Sequence, residues 1–203
     1  MTFWDFYAPF YDIAEKRNKK AYSAMLETVK NIIPKDAEVM EIAAGTGSIT
    51  LTIAEKAKSV VCSDISEKML AKARKKISKH NIANVSFENS NIFEIIKNDS
   101  SFDAVIASQV MHLINDPEKA AFELQRVSKN LVIMPIALTK NLRGFSKLMI
   151  KIYMLLGFRP KREFTLNEYK AFINEIGFKN CEFIFIEGSI PMTVAVWRKN
   201  KAK

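Results

Sequence analysis

The stretch VMEIAAGTGSIT, Val39 to Thr50, decides how the rest of the chain is read. An apolar, strand-like run carrying one acid, Glu41, passes into a small-residue turn and then into an apolar helix start. A strand, a glycine turn and a helix in succession bring backbone N–H groups close to a nucleotide-like ligand. The pattern extends in both directions. A helix is expected over residues 12–33, ended by Pro34. Downstream, strands over 59–62, 85–88, 104–107 and 131–137 alternate with helices over 48–58, 66–77 and 117–129. Ser66 reads as the cap of the second of these, and Asp116-Pro117 as cap and first-turn proline of the third. Residues 92–97 read as a short helix or a loop. This alternation predicts a doubly wound, Rossmann-like α/β fold with a mostly parallel sheet covered on both faces.

After residue 138 the rhythm changes. Residues 147–156 form an apolar helical pattern stopped by Gly157. TLNE, Thr165 to Glu168, is a capping-box signature for another helix, ended by Gly177. Two alternating runs, 180–187 and 191–198, joined through GSIP, read as an antiparallel hairpin at the sheet's edge. Seven strands are therefore expected in a single domain over 1–203. Its parts are an N-terminal segment and helix (1–34), an alternating α/β core (35–138), a helical segment (139–178) and the hairpin (179–198).

Composition sets the outer bounds. The chain has 203 residues, 48% hydrophobic and 26% charged, which fits one soluble globular core. Its formal charge of +9 makes nucleic acid or anionic lipid a partner to weigh. The lysines are scattered along helices, however, so the solvated-surface reading is preferred. The two cysteines, Cys62 and Cys181, lie in strand-like runs without metal-ligand spacing, so free buried thiols and no metal are expected. MTFWDFYAPF lacks the pattern of a signal peptide, and the longest apolar run is broken by Lys151. The expected compartment is the cytoplasm.

The chemistry is carried by the turn and by an acid after it. Asp64, in VVCSDIS, closes the second strand, where a carboxylate can accept both hydroxyls of an adenosine ribose. A dinucleotide fingerprint wants glycine at the position held by Ser48, so that the helix can approach a pyrophosphate. Glu41 adds a negative charge where a phosphate would be unwelcome. Both points favour a ligand with a positive centre and no pyrophosphate.

The set VMEIAAGTGS, VVCSDIS, VSFENSNIFEI, SFDAVIASQVMHLI and ELQRVSKNLVIM, in this order, resembles the class I S-adenosylmethionine-dependent methyltransferases. The resemblance is nearest the small-molecule branch that includes ubiquinone and menaquinone biosynthesis methyltransferases. It implies S-adenosylmethionine as cofactor and S-adenosylhomocysteine as product. It further implies that Glu41, Ala43, Gly45 and Gly47 cradle the methionine moiety. Asp64 would bind the ribose, Ile65 and Met69 would flank the adenine, and Asn91 with Ile92 would meet its amino edge. Ser108 would line the sulfonium through its backbone, Gln109 would lie near the acceptor, and Tyr11 in YAPFYD would close over the cofactor. The sequence departs from the family at Ala43, often glycine, and at Asn91, usually aspartate. A Ser128-Lys129-Asn130 segment replaces the usual PGG before the fifth strand.

His112, at the mouth of the fourth strand, is a candidate general base, with packing at a helix start as the competing reading. Aromatic residues from Phe3 to Tyr11, and the apolar run from Leu148, point to a small apolar or aromatic acceptor. Lys147, Lys151, Arg159, Lys161 and Arg162 beside that run leave room for transient contact with a membrane surface. Two alternatives stand beside this reading: an RNA methyltransferase, motivated by the charge, and a non-catalytic module that binds the cofactor.

Overall fold

The structure, a computed structural model, describes Trp4, residues 18–155 and residues 158–199, the side chains of Met149 and Tyr153 excepted. In chain order its elements are α1 (Lys19–Ile32), β1 (Glu38–Ile42), α2 (Ser48–Ala54), β2 (Ser59–Asp64), α3 (Glu67–Ser78), β3 (Val85–Asn89) and β4 (Phe102–Ala107). These are followed by α4 (Pro117–Val127), β5 (Ser128–Ala137), α5 (Gly144–Leu155), α6 (Leu166–Glu175), β6 (Glu182–Ile186) and β7 (Met192–Arg198). The seven strands form one sheet in the order β3-β2-β1-β4-β5-β7-β6. The first five are parallel, and β7 runs antiparallel to both β5 and β6. The expected seven-stranded Rossmann-like sheet is thus present, with the hairpin at one edge.

The central strands read as nearly continuous apolar runs because both faces are covered. Side chains alternate across the sheet. Met40, Ile42, Val105, Val132 and Met134 pack with Ala120 and Leu124 of α4 and with Tyr169, Phe172 and Ile173 of α6. On the other face, Val39, Ala104, Ile106 and Ile133 meet Met25 and Val29 of α1 and Ile49 and Ile53 of α2.

Local signals set most boundaries. The Ser66 side chain accepts from Met69 N, and Asp116 accepts from Lys119 N ahead of Pro117. Thr165 and Glu168 form a full capping box. Two helices end earlier than the sequence suggests. The helix α2 stops at Ala54 rather than near residue 58, because the chain turns back to pair through Asp36 N–Lys56 O (3.0 Å) and Lys58 N–Ala37 O (2.9 Å). The helix α4 stops at Val127, and β5 starts at once with Ser128, whose hydroxyl bonds Leu131 at both N and O. Residues 92–97 form a loop, anchored by Arg126, which donates to the carbonyls of Ile95 (2.8 Å) and Lys97 (2.7 Å). Glu123 accepts from Ile95 N at 2.8 Å, and the neighbouring Arg126 guanidinium holds its carboxyl below the usual range.

Candidate active site

Strand order reverses between β1 and β4, and the crevice at the carboxyl ends of the strands opens there, where ligands of such sheets bind. A cavity of about 520 Å³ occupies it, within the usual size for a small-molecule site. Its floor is the glycine turn. Ala43, Gly45 and Gly47 sit at φ of 56°, 56° and 74°, so alternate residues adopt a left-handed conformation and fold the backbone sharply.

Asp64 is the hub of this floor. Its carboxylate accepts from Gly45 N and from Ser66 N, each at 2.8 Å, and so joins the turn to the start of α3. Its carbonyl accepts from Ser90 N (3.2 Å) and Asn89 Nδ2 (3.1 Å). The side chain is 6% exposed yet lies on the cavity wall, beside the half-exposed Ile65 and the buried Met69. The residues fit an adenosyl group: an acid to accept from vicinal hydroxyls, apolar side chains to lie against a purine, and a turn with bare backbone.

Ten of the sequence-derived candidates line this one cavity: Ala43, Gly45, Asp64, Ile65, Met69, Asn91, Ile92, Ser108, Gln109 and His112. Glu41 and Gly47 are not on its wall. Strand alternation turns Glu41 toward α2, where it is 2% exposed and accepts from Thr50 Oγ1. Gly47 sits where α2 meets α3; a Cβ there would lie 2.9 Å from Ala73 Cβ. Tyr11 lies outside the described residues. Asn91 Oδ1 accepts from Phe93 N at 3.0 Å, closing its own loop. Gln109, at φ 53°, accepts from Ala137 N at 3.0 Å and donates its own N–H to the Pro135 carbonyl at 2.9 Å. It thereby clamps the end of β4 to β5.

Several wall residues carry no local signal in the sequence. Asn18 and Tyr22 of the N-terminal region meet Ile190 and Met192 of the hairpin across the cavity. Asn18 Nδ2 donates to the Ile190 carbonyl at 2.8 Å, a contact spanning 172 positions. Trp4, Ile150 and Phe158 also line this side.

His112 is the unusual polar group. It is 9% exposed, and its Nδ1 is buried with no hydrogen-bond partner among the described residues. The Phe158 ring stands edge-on at 6.3 Å between centroids. Burial pulls the imidazole down to about 4, so it is neutral at physiological pH. In the unfolded chain the ordinary value of about 6.5 applies. The folded state therefore binds fewer protons between pH 6.5 and 4. This contribution to stability is fully present above pH 6.5 and is lost on acidification, by about 3 kcal/mol in all. The variant His112→Phe is expected to show a shallower loss of urea resistance between pH 6.5 and 4.5 than the parent. Parallel curves would contradict the burial argument.

Residues 33–151 match a family model described as a methyltransferase domain. This covers more than half of the chain, which belongs to that family and is an S-adenosylmethionine-dependent methyltransferase. Among similar proteins, the ubiquinone/menaquinone biosynthesis C-methyltransferase UbiE of Rickettsia prowazekii is 26% identical, over 81% of this chain and 77% of its own length. A SAM-dependent methyltransferase from Aquifex aeolicus superposes with a TM-score of 0.63 at 19% identity, covering 87% of this chain and 88% of that one. The magnesium protoporphyrin IX methyltransferase of Synechocystis, with bound SAH, gives 0.66 at 17% identity, covering 90% and 86%. At these identities the two structures speak for the fold alone.

Proposed function

We propose that this methyltransferase acts on a small, apolar or aromatic acceptor that carries a hydrogen-bond donor. The observation that carries the reading is a cavity whose lining runs from Asp64 to apolar residues around His112, whose buried Nδ1 has no hydrogen-bond partner among the described residues. S-adenosylmethionine, when bound, supplies an electrophilic methyl group and leaves as the neutral thioether S-adenosylhomocysteine. In the proposed arrangement Asp64, Ile65, Met69, Asn91 and Ile92 hold its adenosine part, and Ala43, Gly45 and Ser108 line the rest. Glu41 acts from beneath the turn, through Thr50, rather than by direct contact. Val110, Phe158 and Met192 add apolar residues to the wall, and an apolar site stabilises the charge that disperses during attack less than water does.

Neutral His112 is suited to accept a hydrogen bond from a hydroxyl or N–H of the acceptor and so to orient it, while burial disfavours its charged form. Gln109 is assigned a positioning role through its clamp on β5. An aromatic acceptor is in keeping with the ubiquinone/menaquinone biosynthesis named for the Rickettsia relative.

Methyl-labelled S-adenosylmethionine, offered with a panel of hydroxylated aromatics and separately with bulk RNA, tests the reading. Label is expected in an organic-extractable product, with formation of S-adenosylhomocysteine. Label in RNA alone would favour the charge-based alternative. Tight cofactor binding with no turnover on any acceptor would favour a binding module.

A further inference from the structure

Helix α5 (Gly144–Leu155) has two unlike sides. Ile150 lines the cavity. Facing away, Phe145, Leu148, Ile152 and Leu155 are 71%, 53%, 38% and 87% exposed. Their spacing of three, four and three residues places all four along one stripe of the helix. A globular protein has no use for such a stripe in water, and here it occupies the outer side of an element that closes the acceptor chamber.

Charge says what covers it. From Leu124 through Arg162 the sequence has no acidic residue, and between Thr139 and Arg162 it has seven basic ones. Lys140 is paired with Glu168, and Arg162 donates to the Ile114 carbonyl and lies over the Phe172 ring. Arg143, Lys147, Lys151, Arg159 and Lys161 are exposed, and no acid pairs with them among the described residues. Helical geometry puts Lys147 and Lys151 along one border of the stripe. A second copy of this helix would bring lysine against lysine. Nucleic acid would match the charge but leave the apolar stripe wet.

We infer that α5 docks flat on an anionic lipid bilayer, its stripe in the headgroup boundary and its lysines among the lipid phosphates. Among the described residues no helix is long and apolar enough to cross a membrane, so the contact lies in the interfacial plane. The inner side of the same helix borders the chamber, which places the entrance for an apolar acceptor beside the lipid.

Sedimentation of the full-length chain with vesicles tests this directly, without any turnover, so its outcome is separate from that of the methyl-transfer assay. The chain is expected to pellet with phosphatidylglycerol-containing vesicles and to stay in solution with pure phosphatidylcholine. Loss of Lys147 and Lys151 together, by Lys→Gln changes, should weaken binding roughly thirtyfold, as two lysines near an anionic surface contribute. Leu155→Ser, at an exposed site where folding is not at stake, should weaken it about tenfold or more. Equal binding to both vesicle types would overturn the inference. So would Leu155→Ser behaving as the parent, or a concentration-dependent dimer that Leu155→Ser abolishes.

Discussion

Asp64→Ala is expected to lower affinity for S-adenosylhomocysteine by roughly 10- to 100-fold, measured by titration calorimetry. The carboxylate accepts two backbone N–H groups, from Gly45 and Ser66, and both would be left without that acceptor in a buried place. A lost charge-assisted bond costs about 1.5–3 kcal/mol, which corresponds to this range. The effect on the folded turn and the effect on the ligand can be separated. Asp64→Asn keeps the shape but has one acceptor oxygen, so its NH2 must face a backbone donor. It should lose thermal stability as well as affinity. An Asp64→Ala protein that binds S-adenosylhomocysteine as the parent does would remove the acid from the site.

Gly47→Ala is expected to destabilise the fold by about 2–5 kcal/mol. Two costs add. A side chain in the left-handed region costs about 1–2 kcal/mol. The added methyl would also stand 2.9 Å from Ala73 Cβ, and overpacking costs about 1–3 kcal/mol. The second cost belongs to a pair, so a double-mutant cycle with Ala73→Gly should recover part of it and leave the conformational part. Equilibrium urea unfolding reads both. A loss below about 0.5 kcal/mol in the single variant would show that α2 and α3 can separate freely.

What could be read in advance follows from how local the cause is. The capping box at Thr165 and Glu168, the cap at Ser66 and the proline start at Pro117 are each settled within four residues, and each was legible. The β1-turn-α2 unit and Asp64 were legible for a related reason. The left-handed turn needs small residues, and an acid at a strand end has a purpose. The early end of α2 was not legible, since its cause is pairing with Asp36 and Ala37, on the other side of β1. Gln109 was placed near the acceptor, and it does line the cavity, but its oxygen serves Ala137, a partner 28 residues away. The Asn18–Ile190 wall depends on the meeting of two chain ends, for which no pattern in either segment prepares the reader.

That meeting also dictates an order of events during biosynthesis. The strand β7 enters the sheet between β5 and β6, and α1 packs against this late hairpin so closely that a Cβ added at Gly188 would stand 2.6 Å from Ala21 Cβ. The helix α1 must therefore wait for β7 before it has its full bed. Chains interrupted before Met192 would expose the open edge of β5 and leave α1 without β7 to pack against. Such nascent fragments should be the ones that chaperones hold.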